Sequence, residues 1–115
     1  MKTTIVNIKV AELRKRNINS FLEWDENSNN IYIGRNTTFY VPGTVKSKWF
    51  NPFSVKKHGL DEALVLYENY IRNHPTLYNQ LEELECKTMG CWCHPNKCHG
   101  DILLKLLLEK KQNLT

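Results

Sequence analysis

The chain has 115 residues, of which 41% are hydrophobic and 24% are charged, and its formal net charge is +4 at pH 7. This length and composition suit one soluble globular domain over residues 1–115 and exclude two ordinary domains. The mildly basic charge is compatible with nucleic acid, a nucleotide or an acidic partner, and it requires none of them.

No segment of the sequence has the pattern of a secretion signal or a membrane span. Residues 1–10 lack a long apolar run, and the apolar residues 102–108 are interrupted by Lys105 and too few to cross a bilayer. We therefore predict an intracellular protein that is not secreted and has no membrane partner. In a reducing compartment, clustered cysteines bind metal or do chemistry more often than they form structural disulfides.

The first half of the chain predicts two strands and a long connection. Residues 4–10 alternate around β-branched side chains, which is typical of a strand, whereas the basic residues 11–16 are ambiguous. The short apolar run 31–33 predicts a second strand that ends at Gly34-Arg35. The irregular connection over 36–54 is long, and such connections in compact domains are usually functional.

The second half predicts helices around one more strand. Apolar residues recur at helical spacing after Asp61, which can cap the first turn, and Pro75 ends this helix and suits the start of another. Residues 88–92 predict a third strand, and residues 101–111 predict a final helix. Strands that alternate with helices predict an α/β fold, a small three-layer sandwich around a mostly parallel sheet.

One short stretch near the C-terminal helix holds three of the four cysteines and two of the four histidines. Cys91 and Cys93 point to the same face of a strand because side chains alternate, and Cys98 and His99 return just before the helix. These four side chains can form a tetrahedral zinc site, in which His94 can replace His99. Their spacing is tighter than that of common zinc knuckles.

A catalytic or redox interpretation of the same stretch competes with zinc. Cys98 lies near a helix start and beside His99, and both features raise the thiolate fraction of a thiol. Asp101 can orient His99, meet a cation or accept hydrogen bonds from a sugar or base, or it can simply cap the helix. Cys93 and Cys98 can pair transiently as a disulfide. In a third interpretation the cysteines are buried core residues, with Cys86 structural.

Two more segments contribute candidate ligand-binding residues. Arg35 follows a strand, where open α/β sheets bind ligands, and its guanidinium suits phosphate or carboxylate. If the strands are parallel, Arg35 and the cysteine loop lie at the same edge of the sheet. Residues 46–53 interleave cations with aromatics, as base-stacking surfaces do. Trp49 can stack or belong to the core, and Asn51 can bind a base or ribose edge or hold the Asn-Pro turn.

Several of these segments together resemble a known family, the domain of unknown function 4326 of phages, bacteria and large DNA viruses. The matching segments are Ile5-Val6-Asn7, Ile31-Tyr32-Ile33-Gly34-Arg35, Lys48-Trp49-Phe50-Asn51-Pro52-Phe53, Gly90-Cys91-Trp92-Cys93-His94-Pro95 and Cys98-His99-Gly100-Asp101. This chain departs from the family at Phe50, where a glycine is expected, and residues 37–46 resemble an insertion. The resemblance implies a small α/β domain in a viral or phage setting, so we expect it in the host cytoplasm, the nucleus or a virion.

The leading hypothesis is a domain that binds a nucleotide-like or nucleic-acid ligand in a cleft, with enzymatic activity left open. Its site residues are Arg35 for an anion, Trp49 for stacking, Asn51 for hydrogen bonding, and Cys98, His99 and Asp101 for chemistry. The competing hypothesis is a non-enzymatic interaction module in which the cysteines hold a structural zinc or are buried in the core.

Overall fold

A computed structural model of the protein describes residues 2–113, with only the backbone of Asn113. In this part of the chain three strands and six α-helices form, with a 3-10 helix at Leu81–Leu84. In chain order they are β1 Thr4–Asn7, α1 Val10–Arg14, α2 Phe21–Asp25, β2 Asn30–Tyr32, α3 Val55–His58, α4 Leu60–Arg72, α5 Pro75–Asn79, β3 Thr88–Cys91 and α6 His99–Asn113.

The three strands form a parallel sheet in the order β1-β3-β2. At the carboxyl ends of the strands, Asn7 pairs with Cys91 and Tyr32 pairs with Gly90. All three strands therefore end at one edge of the sheet, which we call the carboxyl edge. The predicted α/β fold with a parallel sheet is confirmed, and Arg35 and the cysteine loop both follow strands that end at this edge.

Helices cover both faces of the sheet because alternate strand residues point to opposite sides. On one face, strand residues such as Met89 and Cys91 pack with α4, α5 and α6 in the larger core. On the other face, Val6 and Tyr32 pack with α1 and α2 in a smaller core around Trp24. These three layers are the sandwich expected from the sequence.

The N-terminal part differs from the sequence prediction in two places. The first strand ends at Asn7, whose Oδ1 accepts a hydrogen bond from Lys9 N at 2.9 Å, and α1 begins at Val10. The helix α2 was not predicted. The Ser20-to-Glu23 spacing is the sequence signal for this helix start. Ser20 Oγ accepts from Glu23 N at 3.2 Å, and Glu23 Oε2 accepts from Asn19 N at 2.7 Å, an arrangement close to a capping box.

The C-terminal part follows the prediction with shifted boundaries. The helix predicted near Asp61 begins at Leu60 after Gly59, whose φ of 81° is in the left-handed region, so Asp61 lies in the first turn. The helix predicted from Pro75 is divided into α5 and the 3-10 helix, and α6 begins at His99. Within residues 2–113, no helix is long and apolar enough to cross a membrane.

Candidate functional site

A cavity of about 300 Å³ opens at the carboxyl edge of the sheet, and we call it the edge cavity. The predicted site residues that line it are Arg35, Asn51, Cys93, Cys98 and His99. Its apolar wall comes from Phe53, Val55, Leu60, Leu64 and Trp92. The structure thus brings together five predicted residues from three separate parts of the chain.

The position of Arg35 depends on the glycine that precedes it. A Cβ on Gly34 would lie 2.4 Å from Tyr32 Oη, so only glycine lets the chain pass this ring. Tyr32 Oη donates to Arg35 O at 2.6 Å and accepts from Trp92 Nε1 at 3.1 Å. These contacts hold the turn after β2 against the start of the cysteine loop and direct the chain at Arg35 toward the cavity.

The guanidinium of Arg35 is oriented by the backbone of the neighbouring loop. Its Nε donates to Asn51 O at 3.0 Å. No carboxylate in residues 2–113 forms a salt bridge with it. The remaining N–H groups are therefore available to an anion, which arginine binds through its planar fork.

Asn51 has the turn-holding role and still faces the cavity. Its Oδ1 accepts from Phe53 N at 2.9 Å, as in an Asx turn, and the residue is only 8% exposed. The amide Nδ2 is a donor on the same side chain, and Asn51 is among the residues that line the cavity. The two roles weighed from the sequence are therefore compatible.

Lys97 is a second cation at the cavity that the sequence analysis did not single out. Its Nζ lies 3.8 Å from Asp61 Oδ1, and both side chains are largely exposed, so this ion pair contributes little stability. Within the described chain, no aspartate or glutamate lines the cavity. The two fully charged side chains that line the edge cavity, Arg35 and Lys97, are therefore both cations.

Two buried thiols form part of the cavity wall and the core beneath it. Cys98 Sγ donates toward Cys91 Sγ across 3.5 Å, and both residues are buried. This hydrogen bond and two backbone N–H donors, of Cys93 and His94, lower the pKa of Cys91 to about 6. The same contact, together with burial, raises the pKa of Cys98. The hydrogen that the two sulphurs share therefore lies on Cys98, and of the two residues it is Cys98 that lines the cavity.

The four predicted zinc ligands are not arranged around a common point. Within residues 2–113, no three His, Cys, Asp or Glu side chains are placed to hold a metal ion. Cys91 and Cys98 contact each other, Cys93 is exposed, and the imidazole of His99 is bonded to the backbone. The geometry therefore does not support the predicted zinc site.

The imidazole of His99 is held in one tautomer. Its Nε2 lies 2.6 Å from Ile33 O, and a carbonyl only accepts hydrogen bonds, so Nε2 carries the proton and Nδ1 has the lone pair. Burial lowers the pKa of His99, which keeps the ring neutral. The ring also meets Tyr67 edge-on at a centroid distance of 5.2 Å. His99 is thus a neutral imidazole in the cavity lining, and its unprotonated nitrogen is Nδ1.

Asp101 has the helix-capping role that the sequence left as an alternative. Its Oδ2 accepts from Cys98 N at 3.0 Å, so a carboxylate in the first turn of α6 binds the N–H at the helix start. Asp101 is not among the residues that line the cavity. Its effect on the site is to position Cys98, and the structure gives no support to a direct catalytic role.

The predicted stacking role of Trp49 is not compatible with its position. Trp49 is 0% exposed in the larger core, and its carbonyl accepts from Tyr67 Oη at 2.6 Å. Its indole is enclosed because the loop folds inward, and it does not line the cavity. The aromatic residues that line the cavity are Phe53 and Trp92.

The fold and the site define a small α/β domain with cations and thiols around a cavity at the carboxyl edge of a parallel sheet. Residues 16–109 match the family described as Domain of unknown function (DUF4326), and the chain belongs to this family. It is also similar to "Uncharacterized protein R718" of Acanthamoeba polyphaga mimivirus, with 35% identity over 108 residues that cover 84% of this chain and 78% of that protein. No solved structure matches the chain.

These matches confirm the family resemblance inferred from the sequence, and a viral relative accords with the expected setting. Neither description states a ligand or an activity. A function for this chain must therefore be argued from the edge cavity.

Proposed function

We propose that the edge cavity binds a nucleotide-like ligand, a small molecule with an anionic group and a planar apolar part. The observation that carries this proposal is the Arg35 guanidinium, which is oriented by Asn51 O, lines the cavity and has no salt-bridge partner in residues 2–113. A volume of about 300 Å³ is at the lower end of the range of small-molecule sites. It suits a mononucleotide better than a polymer.

The two kinds of wall suit the two parts of such a ligand. Arg35 and Lys97 supply positive charge for a phosphate or carboxylate. Phe53 and the leucines of α4 supply an apolar surface for a base, and aromatic rings stack on bases. The amide of Asn51 and Nδ1 of His99 add a donor and an acceptor for its polar edge.

A bound ligand would also lie beside Cys98, which lines the cavity. This thiol retains its proton through its hydrogen bond to Cys91, so it does not act as a nucleophile until that proton moves. Binding therefore stands as the proposed function, and chemistry on the ligand is not required by it.

The second candidate is a non-enzymatic interaction module, and two observations favour it. Cys91 and Cys98 are buried in the core, as the structural interpretation expects. Phe39 and Tyr40 are 90% and 81% exposed, and exposed aromatics are enriched at protein interfaces. In this case the edge cavity has no ligand, and the exposed loop makes the contacts.

A thermal-shift panel distinguishes the two candidates, because a ligand that prefers the folded state raises Tm by mass action. The panel contains nucleoside monophosphates, diphosphates and triphosphates, the uncharged nucleosides, inorganic phosphate and a single-stranded oligonucleotide. We expect at least one nucleotide to raise Tm more than its nucleoside or phosphate alone.

A matched pair of variants ties any shift to the edge cavity. Leu64 lines the cavity, whereas the next residue on α4, Val65, is 59% exposed and does not. Leu64→Trp should fill the cavity and remove the shift, and Val65→Trp should retain it. Absence of any nucleotide shift, or an equal shift in both variants, contradicts the proposal. Oligonucleotide binding that weakens with salt, without a mononucleotide shift, supports the interaction module.

A further inference from the structure

We propose that Cys91 and Cys98 are a redox-active dithiol that reduces small disulfides and closes to an intramolecular disulfide. The two sulphurs are 3.5 Å apart, and Cys98 lines a cavity that opens to solvent. A disulfide has an S–S distance of about 2.05 Å, so the sulphurs need to approach by only about 1.5 Å. This activity is separate from nucleotide binding and does not depend on it.

Both cysteines lie where the backbone is held by regular secondary structure or by hydrogen bonds, and this keeps the two sulphurs close together. Cys91 is the last residue of the central strand β3. Cys98 directly precedes α6, and its N–H is bound by Asp101. The loop between the thiols is fastened by Asn7, whose Nδ2 donates to His94 O at 2.8 Å and to Trp92 O at 3.3 Å.

The pair differs from the one that the sequence suggested, in which Cys93 and Cys98 form the disulfide. Cys91 and Cys98 share the larger core and their sulphurs are in contact, whereas Cys93 is an exposed residue of the edge-cavity lining with no thiol hydrogen bond to Cys98 in residues 2–113. Cys86 is exposed and precedes β3, at the opposite end of that strand from Cys91. In the described chain, the hydrogen bond between thiols joins Cys91 to Cys98.

The exchange proceeds in two steps with a small disulfide RSSR as the oxidant. In the first step the proton of Cys98 passes to the Cys91 thiolate, and Cys98 Sγ attacks RSSR, forming Cys98–S–SR and releasing RS⁻. In the second step Cys91 loses that proton to RS⁻ and attacks Cys98 Sγ. The mixed disulfide bond breaks, a second RS⁻ leaves, and the Cys91–Cys98 bond forms. Two electrons pass from the protein thiols to RSSR, which yields RSH and RS⁻.

The structure assigns the two cysteines different parts in this exchange. Cys98 is the entry sulphur because it lines the cavity, and Cys91 is the resolving sulphur because it lies behind Cys98 in the core. A cavity of about 300 Å³ admits a compact disulfide, such as hydroxyethyl disulfide, more readily than a protein disulfide. This order of attack makes a distinct prediction for each variant.

The test treats the reduced full-length protein with hydroxyethyl disulfide and maps the products by peptide mass spectrometry. We expect the wild type to lose two hydrogens and to yield a peptide pair linked through Cys91 and Cys98. Cys86→Ser and Cys93→Ser are the matched controls, and both should still form this link. Cys91→Ala should accumulate a stable mixed disulfide on Cys98, because the resolving thiol is missing.

Three results would overturn the proposal. One is a wild-type protein that forms no intramolecular disulfide in excess reagent, and another is a disulfide that maps to Cys93 and Cys98. The third is a Cys91→Ala protein that is modified only at Cys86 or Cys93. The wild-type map needs no variant, so the proposal is testable even if a core variant fails to fold. No nucleotide is present, so failure here leaves the proposed ligand site untouched.

Discussion

Two cavities meet at Trp92, and the smaller one carries the candidate site. The second has a volume of about 470 Å³, and we call it the face cavity because it lies on the side of α1 and α2. Its lining residues are Ile8, Lys9, Val10, Ser20, Phe21, Leu22, Tyr40, Val41, Pro42 and Trp92. The candidate site therefore differs from the face cavity in the chemistry of its lining residues and not by a larger volume.

The difference follows from which elements build each wall. The edge cavity takes residues from the chain after β2 and after β3, where a parallel sheet presents strand ends to one side. The face cavity is an apolar seam where Phe21 and Leu22 of α2 meet the loop around Val41. The edge cavity is therefore lined by cysteines, a histidine and an arginine, whereas the face cavity is lined mainly by apolar side chains.

The largest expected effect concerns the thiols that distinguish the edge cavity. In a Cys86→Ser/Cys93→Ser protein, which retains only the Cys91 and Cys98 thiols, the ultraviolet thiolate absorbance should appear with a midpoint near pH 6. An ordinary thiol has a pKa of 9.0, so the change in proton affinity is roughly a thousandfold. Removing Cys91 as well should abolish this midpoint.

The same titration has a consequence for stability. Between pH 6 and 9 the unfolded chain keeps the Cys91 proton that the folded chain has lost, so the free energy of unfolding should rise across this window. Above pH 9 it should fall, because folded Cys98 keeps a proton that the unfolded chain loses. Urea melts at several pH values measure both slopes, and a flat profile from pH 6 to 9 would refute the assignment of a thiolate to Cys91.

The next effect is on nucleotide affinity, and it compares a cation of the edge cavity with a cation of the face cavity. Arg35→Ala should weaken binding of the nucleotide identified by the thermal-shift panel by about tenfold to a hundredfold, because a charged hydrogen bond contributes roughly 1.5–3 kcal/mol. Lys9→Ala removes a cation from the face cavity and is the matched control. Calorimetric titration measures both Kd values. Equal losses in the two variants would indicate a general charge effect rather than a site.

A smaller effect concerns two glycines, of which Gly34 lines the edge cavity and Gly90 is not among the residues that line either cavity. A Cβ on Gly34 meets Tyr32 Oη at 2.4 Å, and a Cβ on Gly90 meets the Trp24 ring at 2.5 Å, with both rings in the smaller core. Gly34→Ala and Gly90→Ala should each lower stability by about 1–3 kcal/mol through overpacking, measured by urea unfolding. Only Gly34→Ala should also weaken nucleotide binding, since only Gly34 precedes Arg35. Weaker binding in Gly90→Ala alone would contradict the role of Gly34.

Among these substitutions, Trp49→Phe is expected to change nucleotide affinity least. Its Nε1 is buried without a hydrogen-bond partner in the described chain, and the ring does not line the edge cavity. Trp49→Phe should change stability through packing and leave nucleotide affinity unchanged. Phe53→Leu, which removes a ring that lines the cavity, should weaken it. If the Kd of Trp49→Phe changes more than that of Phe53→Leu, Trp49 is part of the site after all.

The residues of the candidate site were predicted with uneven success, for a physical reason. Arg35 and the cysteine loop were correctly expected at one edge, because a strand end is a local feature and parallel strands share an edge. Trp49 was misassigned because an aromatic residue between lysines has the same local pattern whether its loop folds inward or outward. The helix α2 was missed although its Ser20-to-Glu23 capping signal was present.

The sequence by itself determined the α/β class, the parallel sheet and the concentration of thiols and imidazoles beside one strand end. These follow from side-chain periodicity and from neighbours along the chain. Only the tertiary structure decided that Cys91 rather than Cys93 meets Cys98, and that His99 bonds to Ile33, 66 residues away. Such contacts depend on how distant segments fill a close-packed interior, which no local pattern encodes.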